Sequence, residues 1–305
     1  MVNVLITGGA GNVGSSLAKK LLTNYNYRVV IVDNLITGLE TNIPIHHNLI
    51  FIKADVNIFN EISVIMTKYN FDFVFHYAAL VGVIRTISNP LLVLNDVEGI
   101  KNILNLSKNT NVKRVFFSSS SEVYGEPVCI PQNELTTPLN SKLPYSLVKN
   151  ISEVYLKTYL KEYNLSFTIF RFFNTYGPNQ SYDFVIQSFI SKAINNEDLT
   201  IYGNGLQTRT FCYIDDNINS TVYFFENNLF INDIVNIGND VEYNIIDVAK
   251  LIIKLTNSKS KIKFINPLLE GDMLRRKPDL ENMKKFYKKD LISLEQGIIK
   301  IINKK

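Results

Sequence analysis

The chain has 305 residues, 46% of them hydrophobic and 20% charged, which is the composition of an ordinary globular protein and excludes global disorder. Its 32 lysines and arginines exceed its 28 aspartates and glutamates only slightly, giving a net charge of +4. So small an excess argues against a nucleic-acid binder. No uncharged apolar run approaches the roughly 18 residues of a membrane span, and no signal peptide precedes the first apolar strand. We therefore expect a cytoplasmic protein with neither nucleic acid nor membrane as a partner.

The two cysteines, Cys129 and Cys212, are far apart in the sequence. Such a pair provides neither a disulfide framework nor the ligand set of a zinc site. We expect both thiols to be reduced and the protein to hold no metal.

Short β-rich runs alternate with longer helical patterns through the first half of the chain. In chain order the predicted elements are strand 2–6, helix 13–22, strands 28–32 and 49–53, helix 57–68, strand 71–75, helix 89–108, strand 112–118, helix 145–163 and strand 166–171. Strands that alternate with helices predict parallel βαβ units, so the fold class is α/β with a doubly wound parallel sheet.

The regular alternation of strand and helix patterns ends after Asn174. Turn signals cluster at residues 176–179 and 203–205, and the helical and strand patterns become shorter. We predict a main domain of residues 1–175, to which the chain returns near residues 211–238, and a smaller C-terminal lobe within residues 176–305.

A glycine-rich turn joins the first predicted strand to the first helix. Gly8, Gly11 and Gly14 allow a tight turn and a close approach of the backbone to a pyrophosphate, while the helix N-terminus offers free N–H groups to the anion. Asp33 ends the second predicted strand 19 residues after Gly14. A carboxylate there accepts a hydrogen bond from the ribose 2′-hydroxyl of NAD and repels the 2′-phosphate of NADP, and no arginine stands beside it. The motif predicts a Rossmann dinucleotide site for NAD.

Further residues of the predicted NAD site follow the later strands. Asp55 and Val56 come after the third strand, where they could meet the adenine edge; Asp55 could equally be a helix N-cap. The small side chains of Ala78 and Ala79 follow the fourth strand and leave room for the cofactor. The full predicted set is Gly8, Gly11, Asn12, Val13, Gly14, Asp33, Asn34, Asp55, Val56, Ala78, Ala79, Tyr145 and Lys149.

Tyr145 and Lys149 occupy positions i and i+4 at the start of a predicted helix, so both side chains share one face. An unperturbed tyrosine has a pKa of about 10, and a nearby ammonium favours its phenolate. The tyrosine can then take a proton from a substrate hydroxyl while a hydride leaves the same carbon. Ser120 ends the fifth predicted strand at the carboxyl edge of the sheet, where a hydroxyl can hold the reacting oxygen.

Several ordered motifs together resemble the extended short-chain dehydrogenase/reductases, and within them the NAD-dependent epimerases and dehydratases of nucleotide sugars. The resemblance covers essentially the whole chain. The motifs are the glycine turn, Asp33, the stretches 117–125 and 145–149, and the stretches 171–178, 200–211 and 271–279.

The resemblance implies a role for each matching residue. Ser120 would hold the sugar 4-oxygen, Tyr145 would be the base, and Lys149 would bind the nicotinamide ribose and lower the tyrosine pKa. Asn174 and Arg209 match substrate-diphosphate contacts, and another substrate arginine falls at Arg275 or Arg276. The resemblance also implies that residues beyond 176 mainly bind the nucleotide sugar, with UDP as the usual nucleotide. It implies a homodimer built from the predicted helices 89–108 and 145–163.

The reaction branch stays open at this point. The stretch 79–90 resembles the corresponding loop of UDP-hexose 4-epimerases, which makes a UDP-sugar 4-epimerase the first expectation. Glu122 and the stretch 276–278 resemble decarboxylases of nucleotide hexuronic acids, in which such a glutamate acts as a base or orients a carboxylate. A 4,6-dehydratase also commonly carries this glutamate, but it pairs it with an aspartate where this chain has Ser121. All three reactions would begin with a transient 4-keto sugar.

Overall fold

The computed structural model describes residues 1–267 and 273–304. The strands are β1 (Val2–Thr7), β2 (Tyr27–Asp33), β3 (Leu49–Lys53), β4 (Phe73–His76), β5 (Arg114–Ser120), β6 (Phe167–Phe172), β7 (Thr175–Tyr176), β8 (Leu199–Tyr202), β9 (Thr208–Thr210), β10 (Cys212–Tyr213), β11 (Asp233–Ile237), β12 (Glu242–Asn244) and β13 (Ile262–Ile265).

The α-helices are α1 (Asn12–Leu21), α2 (Phe59–Tyr69), α3 (Val83–Ser88), α4 (Pro90–Leu94), α5 (Asp96–Asn109), α6 (Pro144–Tyr163), α7 (Val185–Ile194), α8 (Ile214–Glu226), α9 (Ile245–Leu255), α10 (Glu281–Phe286) and α11 (Leu294–Ile302). Two short 3₁₀ helices span Glu40–Asn42 and Ser121–Tyr124. No helix in the described part of the chain is long and apolar enough to cross a membrane.

A seven-stranded sheet with the order β11-β6-β5-β4-β1-β2-β3 forms the centre of the molecule. All its neighbouring strands pair in parallel. Val4 and Ile6 of β1 belong to the apolar cluster on one face, and Leu5 belongs to the cluster on the other, since successive side chains of a strand point in opposite directions. The doubly wound α/β fold is therefore confirmed.

Helices cover both faces of this sheet, as a parallel sheet requires. On one face α1 packs against α8, and on the other α5 packs between α2 and α6. The C-terminal residues add three two-stranded pairs, β7–β10, β8–β13 and β9–β12, and the helices α7, α9 and α11, which contact one another. The chain returns to the main sheet through α8 and β11, the strand beside β6.

One predicted helix is divided in the structure. Residues 89–108 form α4 and α5, and α3, which the sequence did not predict, precedes them. At the junction the Glu98 N–H donates to the Asn95 carbonyl at 2.9 Å, a bond three residues back instead of four. This tightening, typical of 3₁₀ geometry, interrupts the α-helix before Asp96.

Two features position the candidate site. Strand order reverses at β1, which pairs with β2 on one side and β4 on the other, and ligands of such sheets bind at the carboxyl ends of the strands near this reversal. Helix α6 begins at Pro144, a residue suited to the first helical position, and ends at Asn164 with φ 55°. Its first turns lie at the same edge of the sheet, because the Lys149 Nζ donates to the carbonyl of Ser118 near the end of β5.

Candidate active site

A cavity of about 930 Å³ lies over the carboxyl ends of β1, β2, β4 and β5 and continues to the start of α6. Its lining includes most of the site residues predicted from the sequence. The predicted site residues that line it are Gly8, Gly11, Asn12, Val13, Gly14, Asp33, Asn34, Asp55, Val56, Ala78, Ala79, Ser120, Glu122, Tyr145, Lys149, Asn174 and Arg276.

The glycine turn forms the floor of one end. Gly8 has φ +68°, and a Cβ there would lie 2.7 Å from the backbone nitrogen of Ala78. A Cβ on Gly14 would lie 2.4 Å from the Gly8 carbonyl oxygen. Both contacts are too short for any side chain, so the β1–α1 turn and the segment after β4 pack backbone to backbone.

The N-terminus of α1 has the features of an anion site. Its N-cap is Gly11, no side chain caps it, and its first turn carries no acidic residue. The Asn12 Oδ1 atom is buried without a hydrogen-bond partner. Free N–H groups at a helix start and an unsatisfied polar atom beside them fit the pyrophosphate and amide contacts of a dinucleotide.

Asp33 ends β2 inside this part of the cavity and is 8% exposed. Its Oδ2 accepts from the Ala10 N–H at 3.0 Å and its Oδ1 from the Leu35 N–H at 2.8 Å. These bonds fix the carboxylate at the strand end, where it keeps lone pairs for a ribose hydroxyl. A Cβ on Gly38 would lie 2.9 Å from Oδ1, so the following loop also needs a glycine to approach the carboxylate.

Asp55 lies across from Asp33 and does not cap a helix. Its Oδ1 accepts from the Asn57 N–H at 2.8 Å and its Oδ2 from the Asn34 side chain at 3.0 Å. The N-cap of α2 is Ile58, which has no capping side chain. The helix-cap interpretation is therefore wrong, and Asp55 and Val56 line the cavity instead.

Tyr145, Lys149 and Ser120 meet at the other end of the cavity. Lys149 is 4% exposed, and its Nζ donates to the Ser118 carbonyl at 2.7 Å and lies 5.7 Å from the centre of the Tyr145 ring. The Ser120 hydroxyl lies close enough to the Tyr145 hydroxyl to act on its pKa, which it lowers. The Ser120 Oγ also accepts from the Glu122 N–H at 3.2 Å. A sugar hydroxyl placed beside Tyr145 and Ser120 would meet one proton acceptor and one donor.

Burial dominates the electrostatics of this group. Burial lowers the pKa of Lys149 to about 8, although the nearby carboxylates of Asp96 and Glu153 raise it. Burial raises the pKa of the Tyr145 hydroxyl, and the Ser120 hydroxyl and the Arg276 charge act against that rise. Bound positive charge near Tyr145 is what would make its phenolate accessible.

Glu122 and Arg276 form an ion pair on the cavity wall near Tyr145. The Arg276 Nη1 lies 2.9 Å from the Glu122 Oε1, and the side chains are only 6% and 17% exposed. The Arg276 Nη2 contacts the Met273 sulfur at 3.1 Å, while its Nε is buried and has no hydrogen-bond partner. Arg276 thus lines the cavity as a guanidinium that is already paired with a carboxylate.

The other predicted substrate residues are placed differently. Asn174 lines the cavity and donates from its side chain to the Thr210 carbonyl at 2.9 Å. Arg209 and Arg275 are not among the lining residues. Arg275 instead forms a two-pronged pair with Glu242, at 3.0 and 2.7 Å, on the surface. Of the two neighbouring arginines, the structure brings only Arg276 to the cavity; Gly271 and Asp272 of the same motif lie outside the described residues.

Sequence reasoning missed some lining residues. Asp96 at the start of α5 accepts from the Leu80 N–H at 2.8 Å, and burial raises its pKa. Arg85 of α3 lines the cavity and forms an ion pair with Asp183, which lies outside the lining. Asp96 could have been identified from the sequence as a carboxylate in the first turn of a predicted helix. No sequence signal pointed to the Arg85–Asp183 pair, because the two residues are 98 positions apart.

His76 is the last residue of β4. Its Nδ1 shares a 2.8 Å hydrogen bond with the Thr7 hydroxyl, joining β4 to β1 beneath the cavity. Burial lowers its pKa to about 3, so the ring is neutral and structural. Within residues 1–267 and 273–304 no group of three or more His, Cys, Asp or Glu side chains could hold a metal ion.

A family model described as the NAD dependent epimerase/dehydratase family matches residues 4–238, well over half of the chain. The chain belongs to the NAD-dependent epimerase/dehydratase family. This confirms the resemblance inferred from the motifs and the NAD expected from the glycine turn and Asp33.

Members of this epimerase/dehydratase family with different activities resemble the chain about equally. UDP-glucuronic acid decarboxylase 1 of Danio rerio is 34% identical over 310 residues, covering 98% of this chain and 71% of the relative. A putative UDP-glucose 4-epimerase of Methanocaldococcus jannaschii is 33% identical, covering 98% and 97%. The crystal structure of a Thermotoga maritima UDP-glucose 4-epimerase with UDP-glucose has a TM-score of 0.93 at 28% identity, covering 99% and 98%.

Proposed function

We propose that the chain is an NAD-dependent decarboxylase of a UDP-linked hexuronic acid that works through a transient 4-keto sugar. The observation that carries this choice is the Glu122–Arg276 pair at the sugar end of the cavity. A neutral hydroxymethyl group on C5 of a hexose gives no reason to keep a nearly buried ion pair there, since burying two charges is costly even when they are paired. A carboxylate on C5 gives such a reason, because a guanidinium binds a carboxylate with two parallel hydrogen bonds.

The first step is oxidation at C4, and Tyr145 is its base. The tyrosine takes the proton of the 4-hydroxyl while Ser120 holds the oxygen, and the C4–H bond breaks with its electron pair leaving as hydride. Lys149 beside the tyrosine stabilises the developing phenolate. NAD, when bound, would supply the hydride acceptor for this oxidation. The glycine turn, Asp33 and Lys149 would hold it.

The second step breaks the bond between C5 and the carboxylate. In the 4-keto sugar the carboxylate is β to the new carbonyl, so its electron pair can flow into an enolate at the C4 oxygen as CO₂ leaves. Tyr145 and Ser120, already on that oxygen, stabilise the negative charge. Glu122 would lie beside the departing carboxylate as a like charge, which favours its loss. C5 then takes a proton from solvent water, and the C4 oxygen recovers the proton held by Tyr145 as C4 regains hydride.

The remaining cavity would hold the nucleotide. We propose that Asn174 and cavity-lining residues beyond 176 contact the diphosphate, and that residues 1–175 with 211–238 form the NAD-binding domain. Arg209, which the resemblance also matched to the diphosphate, lies outside the cavity lining. The UDP assignment is supported by relatives whose names specify UDP-sugars. Arg276 is the arginine of the 275–276 pair that we assign to the substrate.

Epimerisation at C4 is the second candidate, favoured by a specific set of likenesses. The M. jannaschii relative and the T. maritima structure are both described as 4-epimerases, and the stretch 79–90, with α3, lines the cavity. On this alternative the 4-keto sugar turns over in the site and regains hydride on its other face.

Product analysis distinguishes the decarboxylase from the 4-epimerase. The NAD-loaded enzyme is incubated separately with UDP-glucuronate, UDP-glucose and UDP-N-acetylglucosamine, and products are identified by NMR with CO₂ measured in parallel. We expect CO₂ and a UDP-pentose from UDP-glucuronate. A C4 epimer of UDP-glucose or UDP-N-acetylglucosamine, with no CO₂ from UDP-glucuronate, would instead establish the epimerase.

We also propose a homodimer in the cytoplasm. Leu147, Ile151 and Val154 lie on one face of α6, spaced as i, i+4 and i+7, and are 46%, 43% and 59% exposed. Leu91 of α4, which packs against α6, adds to this apolar surface. Light scattering after size exclusion should give twice 34.9 kDa for the wild type and a monomer for Ile151→Glu; a monomeric wild type would contradict the proposal.

A further inference from the structure

A buried ion pair lies behind the active site and has no role in the proton and hydride transfers derived above. Arg171 of β6 donates from Nε and Nη2 to the two carboxylate oxygens of Glu153 on α6, at 3.0 and 2.7 Å. The two side chains are 2% exposed each. A pair this deeply buried contributes little net stability compared with apolar packing, so its geometry is the reason to look for a role.

The pair is tied directly to the strand that carries Ser120. The Ser119 Oγ donates to the Glu153 Oε1 at 2.6 Å. One turn earlier on α6, the Lys149 Nζ donates to the carbonyl of Ser118 at 2.7 Å. Two successive residues of β5 are therefore held by two side chains one turn apart on α6, immediately before Ser120.

The same pair reaches the segment that carries Arg276. The Arg171 Nη1 donates to the Tyr124 hydroxyl at 2.9 Å, and that hydroxyl donates to the Asn236 Oδ1 at 2.8 Å. Asn236 Nδ2 donates to the carbonyls of Gln132 and Asp279, at 2.9 and 3.3 Å. Asp279 lies three residues after Arg276, so a continuous hydrogen-bonded chain joins α6, β5 and the arginine segment.

We propose that Glu153 and Arg171 are positioning residues that hold Ser120 of β5 in register with Tyr145 and Lys149 of α6. The inference rests on the proposed roles of these three residues. Helix α6 and strand β5 approach the cavity from different directions, and apolar packing alone lets a helix slide or rotate against a strand. A two-pronged ion pair with a serine attached to it removes that freedom, because its geometry is directional.

Ser119→Ala is the sharpest variant, because it cuts the link to β5 and leaves the ion pair intact. Thr168→Val is its matched control. Thr168 lies on β6, three residues before Arg171, is fully buried, and donates its hydroxyl to the Phe230 carbonyl at 2.9 Å. Both variants lose one buried hydrogen bond, but only the first touches the register between β5 and α6.

The first measurement needs no substrate. In enzyme labelled with ¹³C at the tyrosine ζ position, the Tyr145 resonance is assigned by its absence from Tyr145→Phe, and it reports the surroundings of the Tyr145 hydroxyl, including its placement relative to Ser120. We expect this resonance to shift in Ser119→Ala and to coincide with wild type in Thr168→Val. A Tyr145 resonance in Ser119→Ala that coincides with wild type would overturn the proposal. So would a Tyr145 resonance that shifts equally in Thr168→Val.

The second measurement is kinetic and is normalised to NAD-binding sites. A small displacement of a positioned group lowers the rate of the chemical step far more than it lowers binding. For Ser119→Ala we expect kcat to fall about 10-fold to 100-fold while KM for the sugar nucleotide and the dissociation constant of NAD stay within about twofold of wild type. Arg171→Lys, which keeps the charge but not the planar fork, should fall at least as far in kcat.

The two proposals fail in different ways. A wild-type enzyme that converts none of the three UDP-sugars removes the proposed function, and the NMR comparison still decides the positioning role. A wild-type enzyme that is active, with Ser119→Ala equally active or altered only in KM, leaves the function standing and overturns the positioning role.

Discussion

Lys149 and Tyr145 lie one turn apart on α6, and the lysine is the more buried of the two. Its ammonium, 4% exposed, rests 4.7 Å from the centre of the Phe117 ring and 5.7 Å from that of Tyr145. Burial disfavours its charge, and two carboxylates, Asp96 and Glu153, oppose that effect. The charge that should activate the tyrosine is therefore itself dependent on pH in the working range.

This balance predicts an alkaline limit to activity that depends on Asp96. With burial lowering the pKa of Lys149 to about 8, the ammonium is charged below pH 8 and is lost as the pH rises through 8. In Asp96→Asn a carboxylate that raises this pKa is removed, so the limit should move to lower pH. The pH profile of kcat/KM measures the shift.

Asp72→Asn is the control for that profile. Asp72 pairs with Lys113 at 2.8 Å away from the cavity, so its removal should leave the alkaline limit where it is. An Asp96→Asn profile that overlays the wild type would show that Lys149 does not set the limit.

Removing the Tyr145 hydroxyl should stop the chemistry and spare binding. Tyr145→Phe loses the base but keeps the ring, and we expect turnover to fall at least ~100-fold, the lower range for general acid–base catalysis. NAD and UDP-sugar affinities, measured by calorimetry, should change little, because the glycine turn and Asp33 are untouched. Near-normal turnover would remove Tyr145 from the mechanism.

Asp33 should set the preference for NAD over NADP. In Asp33→Asn the repulsion of a 2′-phosphate disappears and the charge-assisted bond to the 2′-hydroxyl weakens, at a cost of about 1.5–3 kcal/mol in NAD binding. Dissociation constants for both nucleotides should therefore converge. Tighter binding of NADP than NAD by the wild type would contradict this assignment.

The glycine turn should respond to alanine in a graded way. A Cβ on Gly14 meets the Gly8 carbonyl at 2.4 Å, whereas one on Gly11 comes no closer than 3.3 Å to it. Backbone cannot yield as a flexible side chain does, so Gly14→Ala should lower Tm clearly in the absence of NAD and Gly11→Ala should stay near wild type. Thermal unfolding of both variants without cofactor tests this, and equal Tm values would show that the turn can relax.

Local patterns predicted the fold and many of the residues that line the cavity. Gly8 to Gly14, Asp33, Tyr145 and Lys149 all lie at strand ends or in first helical turns, where topology alone brings them to one edge of the sheet. The positions of such residues can be predicted without knowing any contact between distant parts of the chain. The seven-stranded sheet followed from the same alternation of strands and helices.

The rest depends on contacts that no local pattern records. The pairing of Glu122 with Arg276, rather than Arg275, depends on which way a loop near the C-terminus turns. The division of the predicted helix 89–108 depends on Asn95 and Asp96, whose backbone and side-chain groups bond elsewhere: Asp96 accepts from Leu80. Polar residues that compete with the helix in this way make its interior hard to predict.

The reaction branch should be decided by Glu122 and its pair with Arg276. On the decarboxylase proposal, Glu122→Gln removes the like charge beside the departing carboxylate and leaves Arg276 unneutralised. We expect the release of CO₂ from UDP-glucuronate to fall on the order of 10²–10⁴-fold, the range for loss of a catalytic side chain. If the enzyme is a 4-epimerase, the carboxylate takes no part in bond breaking at C5, and the same change should alter the rate only modestly.

Glu242→Gln provides the matched control for this test. Glu242 pairs with Arg275, the neighbour of Arg276, through two hydrogen bonds, but it lies outside the cavity lining. Both variants remove a carboxylate from an arginine pair, and only Glu122→Gln changes the charge that faces the sugar. A large loss confined to Glu122→Gln would place bond breaking at C5 in this site. Equal, modest effects in the two variants, with a C4 epimer as the product, would assign the chain to the epimerases, because a hexose with a neutral C5 substituent offers the pair nothing to act on.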